Sequence, residues 1–124
     1  MRKSLALIAG CSFVFCGVAF AEEDSVIKDA MAYVHKAPKD EKKLSEKIAD
    51  GTASEEEIRK SLELYKKMVD AKPPRGDQAA FREKTAKVVA ALEEMVANKP
   101  DGVAHFKESV ECKACHTDHR PRKK

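Results

Sequence analysis

Five consecutive residues near the C-terminal end, Cys112-Lys113-Ala114-Cys115-His116, have the types and spacing to act together chemically. A C-x-x-C-H run is typical of covalent haem attachment: two thiols add to the porphyrin vinyl groups as thioethers, and the histidine ligates the iron. On a helix, residues three and four apart lie on one face. Cys112, Cys115 and His116 would therefore present two tethers and a proximal ligand to one flat macrocycle.

Two other uses of this motif are a redox-active dithiol and half of a zinc site. Zinc would require a second pair of Cys or His ligands at matching spacing, and a thioredoxin-like dithiol would require a βαβ context. The sequence offers neither. We therefore predict one covalent haem c, with its iron, on Cys112, Cys115 and His116.

Residues 1–21 are predicted to be a cleaved signal peptide. Arg2 and Lys3 are followed by an uncharged apolar run to Phe20, which is short for a membrane span, and cleavage is expected after Ala21. A lipoprotein box ending at Cys11 is the less favoured alternative, because the following residues stay apolar. We expect an exported, periplasmic protein with no stable membrane insertion after cleavage.

The mature chain, residues 22–124, is predicted to be one domain with nearly balanced charge. Without Arg2 and Lys3 the formal net charge falls from +3 to +1, which does not fit a nucleic-acid-binding protein. The basic tail at 120–124 is either a solvated end or a docking patch for an acidic redox partner. Only Cys112 and Cys115 of the four cysteines would remain.

Every segment of the mature chain predicts helix, since none alternates apolar and polar residues as a strand does. Helices are expected from about residue 24 to 36, from 52 to before Pro73, after Asp77 to about 97, and from Asp101 to His119. A short helix closed by Gly51 lies between the first two. Four helices with short joins predict an all-α, antiparallel four-helix bundle.

The attachment motif at the end of an all-helical chain, Cys112-Lys113-Ala114-Cys115-His116 with Arg120 four positions after the histidine, resembles the cytochrome c prime family. The resemblance implies a haem-binding four-helix bundle with Cys112 and Cys115 as attachment residues. It also implies His116 as the proximal ligand and Arg120 near the haem propionates or the proximal side. A homodimer through the first two helices is possible in this family.

The residue opposite His116 decides the chemistry. In methionine-ligated relatives the first helix supplies a thioether to the iron, which suits electron transfer, whereas five-coordinate relatives bind small gases. Met31 is the candidate here, His35 is its rival on the same face, and an absent protein ligand is the third alternative. Met68 is predicted to fill the core, and His119 to lie beside the helix dipole at the end of the last helix.

These patterns predict a periplasmic monohaem c-type cytochrome that exchanges electrons with periplasmic redox proteins and is not an enzyme. The alternative is a protein that binds nitric oxide or carbon monoxide at an open iron position. A haem peroxidase is less favoured, because the sequence shows no distal acid and base pair.

Overall fold

Regular structure in this protein is helical throughout the described part of the chain. The computed structural model describes residues 20–123, and the side chains of residues 25–123. Its helices are α1 (Phe20–His35), α2 (Leu44–Ala49), α3 (Glu55–Val69), α4 (Gln78–Val96), α5 (Gly102–Ser109) and α6 (Cys112–His119). No strand occurs between residues 20 and 123. The predicted all-α fold class is confirmed.

The signal peptide and the lipoprotein box fall almost wholly outside the described residues. Of residues 1–21, only Phe20 and Ala21 are described, as the start of α1. Cleavage after Ala21 and the alternative at Cys11 therefore stay predictions. Within residues 20–123, no helix has the length and apolar character needed to span a membrane.

Side-chain caps set the starts of the two longest interior helices. Ser54 accepts a hydrogen bond from the backbone N–H of Glu57, and Glu57 accepts one in return from the Ser54 N–H, which forms a capping box at α3. Asp77 accepts from the N–H of Ala80 at the start of α4. These caps satisfy N–H groups that have no partner inside the helix, so both starts are encoded locally.

The core lies between the packed faces of α1, α3, α4 and α5. Helix α3 packs along α4 and against α1, α4 also packs along α5, and the short α2 packs on α1 and α5. The largest fully buried apolar side chains come one each from α1 to α5: Val34, Ile48, Met68, Leu92 and Phe106. Burial of each contributes about 1.5–3 kcal/mol relative to exposure. This packing fixes α1, α3 and α4 as the walls that face α6.

The last predicted helix is interrupted, which corrects the prediction of one continuous helix from Asp101 to His119. Val110, with φ −84° and ψ 77°, ends α5, and the N–H of Glu111 donates to the carbonyl of Ser109. This is an inverse γ-turn. The hydroxyl of Ser109 also donates to the Phe106 carbonyl and so competes with the helix ladder. The attachment motif therefore occupies a separate eight-residue helix.

Candidate haem-binding cavity

A cavity of about 420 Å³ is bordered by α1, α3, α4 and α6. Its volume is within the roughly 300–1,000 Å³ range of small-molecule and cofactor sites. Helix α6 contributes the attachment motif and α1 contributes both rivals for the distal position. Every residue predicted for the site borders this cavity: Met31, His35, Cys112, Cys115, His116 and Arg120. The attachment motif and the two distal candidates therefore lie at the same cavity, although about 80 residues separate them in the sequence.

The two attachment cysteines occupy different environments on α6. Cys112 is exposed, Cys115 is half-buried, and both are free thiols. Burial raises the pKa of the Cys115 thiol, and the nearby Lys84 ammonium opposes that rise. Because the pKa is raised overall, Cys115 keeps its S–H near neutral pH. Neither sulfur is in a disulfide, and both cysteines border the cavity.

Contacts from outside α6 hold this short helix in place. The guanidinium of Arg75, in the loop between α3 and α4, donates to the backbone carbonyls of Thr117 and Arg120. These are carbonyls that the end of a helix leaves without intrahelical partners. On α4, Lys84 pairs with Asp118 at 2.6 Å, which raises the pKa of Lys84 and lowers that of Asp118. Both contacts fix the motif beside the cavity.

His35 and Tyr65, which both border the cavity, form a hydrogen-bonded pair. The distance between His35 Nε2 and the Tyr65 hydroxyl is 2.5 Å. Burial, and then the positive charge of His116, lowers the pKa of His35 to about 4. Burial also raises the pKa of Tyr65. Near neutral pH the imidazole is therefore uncharged and the phenol keeps its proton, which lets Tyr65 donate to Nε2.

This pair separates the two distal candidates. If Nε2 of His35 accepts from Tyr65, that nitrogen must give up a buried hydrogen bond before it can bind iron. Met31 is half-buried and packs against the core without such a competing bond. Met68 of α3, predicted as core filling, is indeed 2% exposed, but it also borders the cavity. Two thioethers therefore reach this space.

His119 is another cavity residue that sequence reasoning missed. It was predicted beside the helix dipole, but only 4% of it is exposed and it borders the cavity. The ring packs edge to face on Phe81, with centroids 5.2 Å apart. A signal was present in the sequence: Cys112, Cys115 and His119 recur at spacings of three and four, which places them on one helix face.

The residues present fit a covalently bound haem. A cavity of suitable size meets two free thiols and an imidazole on one helix. Within the described residues, no group of three or more His, Cys, Asp or Glu side chains could hold a metal ion alone. Haem iron needs only one or two protein ligands, because the porphyrin supplies the other four.

Comparison of the chain with protein families, with curated proteins and with solved structures gives no match. The resemblance to the cytochrome c prime family therefore stays a prediction.

Proposed function

We propose that this chain is a periplasmic monohaem c-type cytochrome that transfers electrons between redox proteins. In this proposal Cys112 and Cys115 bind the haem covalently and His116 is the proximal ligand. One observation carries it: the folded chain brings both thiols, His116 and Met31 to the same cavity. The fold would be a four-helix bundle of the cytochrome c prime type, in which α5 and α6 together take the place of the fourth helix.

The redox chemistry would come from the iron, which cycles between the ferrous and ferric states. The residues of the chain bind and orient the group. Each thiol adds its S–H across one vinyl group, so no atom is lost. Helix α6 positions His116 between the cysteines and Arg120. Met31, Met68 and Phe81, which α1, α3 and α4 contribute to the cavity, would pack against the macrocycle.

Met31 is the proposed sixth ligand. It lies on α1, which faces α6 across the cavity, and its sulfur has no hydrogen-bond competitor, whereas Nε2 of His35 is engaged by Tyr65. A thioether ligand favours the ferrous state and raises the reduction potential, which suits electron transfer.

The attachment is tested by mass spectrometry of protein produced with the periplasmic haem-ligation machinery. The expected mass is that of the processed chain plus one haem, and replacing both Cys112 and Cys115 by Ala removes the added mass. A wild-type product with the bare polypeptide mass would contradict the proposal.

The distal ligand is tested with Met31→Leu, which keeps the side-chain volume but removes the sulfur. We expect the sharp low-spin α-band of the ferrous protein to broaden and to become sensitive to carbon monoxide. Met68→Leu is the matched control, because it removes the other thioether at the cavity. If only Met68→Leu changes the spectrum, the ligand comes from α3 instead of α1.

The second candidate function is gas binding at a five-coordinate iron. The observation that favours it is the His35–Tyr65 pair, because the polarity of the distal pocket decides whether an open iron position binds small gases. In that case the wild-type ferrous spectrum is broad and shifts with carbon monoxide, and Met31→Leu leaves it unchanged.

A further inference from the structure

The rim of the cavity carries an excess of positive charge. Three exposed cationic residues border the cavity: Lys28 in α1, Lys36 directly after α1, and Arg120 directly after α6. We call these three residues the basic rim. Among the residues that line the cavity, Glu111 is the only carboxylate. A fourth lining cation, Lys84, is already in an ion pair.

The basic rim is not neutralised by other side chains of the protein. Among the side chains of residues 25–123, nine ion pairs join a lysine or an arginine to a carboxylate, and none of them includes a residue of the basic rim. Residues 22–124 together have a formal net charge of only +1. The excess at the rim is therefore a local feature rather than a sign of a strongly basic chain.

The end of the chain extends this positive charge. Pro121 borders the cavity, and it is followed by Arg122, Lys123 and Lys124. Arg122 and Lys123 are exposed. The two propionates of a haem would offset two positive charges in any orientation of the macrocycle. The basic rim and the tail together would still remain positive.

The attachment motif reaches the same rim. Cys112 and His116 border the cavity and are exposed, so a haem that they bind would come close to the protein surface there. Electron exchange requires the redox centre of the partner to approach the haem closely. The partner must therefore dock beside a positively charged surface, which attracts an acidic protein and repels a basic one.

We propose that the basic rim is the docking surface for an electron-transfer protein whose own redox centre is surrounded by acidic side chains. The inference rests on the proposed function, since it requires an attached haem. In the encounter one electron passes from the reduced partner to the ferric haem, which becomes ferrous. Exposed charges raise the association rate more than the affinity, and salt screens them.

The docking surface is tested with a reduced acidic ferredoxin of the plant type, a one-electron donor of low potential. Stopped-flow absorbance of the haem measures the second-order rate constant of its reduction at several ionic strengths. The rim variant combines Lys28→Glu with Lys36→Glu and leaves Arg120, a proposed cofactor-binding residue, in place. The control combines Lys99→Glu with Lys107→Glu, because both lysines are exposed and neither borders the cavity. Both double variants change the net charge equally.

We expect the rate constant of the wild type to fall as the ionic strength rises. At low ionic strength the rim variant should react slower by on the order of tenfold, and this difference should vanish at high salt. The control should stay close to the wild type. Equal slowing in both double variants would assign the effect to net charge and would overturn the inference, as would equal rate constants in the wild type and the rim variant.

A second measurement separates a protein partner from a membrane. Sedimentation with vesicles of phosphatidylglycerol and phosphatidylcholine reports binding to an anionic lipid surface. Vesicle binding that the rim variant loses, together with an unchanged ferredoxin rate constant, would assign the basic rim to a membrane surface and overturn the inference. A bare polypeptide mass in the wild type rejects the proposed function itself, whereas a haem-loaded protein with a salt-independent rate constant rejects only the docking surface.

Discussion

At the residue scale, burial at the cavity shifts the pKa of two side chains, His35 and Tyr65. His35 is uncharged near neutral pH chiefly because an imidazolium there would lose solvation. Tyr65 keeps its phenolic proton for the same reason, desolvation. The pair thus supplies polar atoms to an apolar space without placing a charge in it.

The lowered pKa of His35 predicts a loss of stability in acid. The folded pKa, about 4, lies below the ordinary value of 6.5, so the unfolded state binds more protons between these values. The contribution of His35 to the free energy of unfolding is therefore full above pH 6.5 and is lost as the pH decreases to about 4, a loss on the order of 3 kcal/mol. Urea unfolding of the holoprotein at several pH values measures this loss.

His35→Gln keeps a hydrogen-bonding group near Tyr65 but cannot bind the extra proton, so its stability should depend less on pH in this range. His105→Gln is the control and should leave the acid loss in place, because His105 is exposed and its pKa is raised by Glu94. An equal acid loss in wild type and His35→Gln would assign the effect to other groups.

At the element scale, α6 depends on its neighbours. It has eight residues, and helices this short are marginal on their own in water. It begins without a side-chain cap hydrogen bond at Glu111, and its end is held by the guanidinium of Arg75. The helix that carries the attachment motif is therefore positioned by a loop that is distant in sequence.

Arg75→Ala should loosen α6 selectively. The change removes two donors to the carbonyls of Thr117 and Arg120, and hydrogen bonds from charged groups contribute about 1.5–3 kcal/mol. Because the Arg75 side chain is partly exposed, we expect a loss of about 1 kcal/mol in the opening free energy of α6. Native-state hydrogen exchange of the α6 amides measures it.

Arg82→Ala is the matched control for Arg75→Ala, since Arg82 is an exposed arginine that pairs with Asp70 at 2.8 Å. It should leave exchange in α6 unchanged. If the α6 amides exchange equally fast in wild type and Arg75→Ala, the loop does not hold the helix.

At the scale of the whole molecule, the proposed haem would act as part of the core. A chain of this size buries limited apolar surface, and the cavity of about 420 Å³ interrupts the packing between α1, α3, α4 and α6. A macrocycle in that space would supply contacts that the side chains alone lack.

Replacing both Cys112 and Cys115 by Ala should therefore destabilise the whole fold. Loss of a large buried group costs about 2–5 kcal/mol, which corresponds to a thermal midpoint lower by roughly 10 °C or more. Circular dichroism of the purified proteins measures the midpoint. Lys113→Ala, an exposed change within the same motif, should keep the wild-type midpoint, and an equal midpoint in the double variant would exclude a structural role for the attachment.

The sequence alone determined the features that depend on neighbouring residues. The cap at Asp77, the capping box at Ser54 and the turn at Gly51 mark helix boundaries, because each satisfies backbone groups within a few positions. The spacing of Cys112, Cys115 and His116 likewise determined the attachment prediction, since one helical turn suffices to align them.

Only the tertiary structure decided what depends on distant packing. His119 is buried because Phe81 and the loop at Gly76 close over it, and Met68 reaches the cavity because α3 lies beside α1 and α4. Val110 and Glu111 lie outside both helices and separate α6 from α5. The burial of a side chain depends on contacts from several elements of the fold. A local sequence pattern therefore does not specify which of two similar side chains faces the cavity.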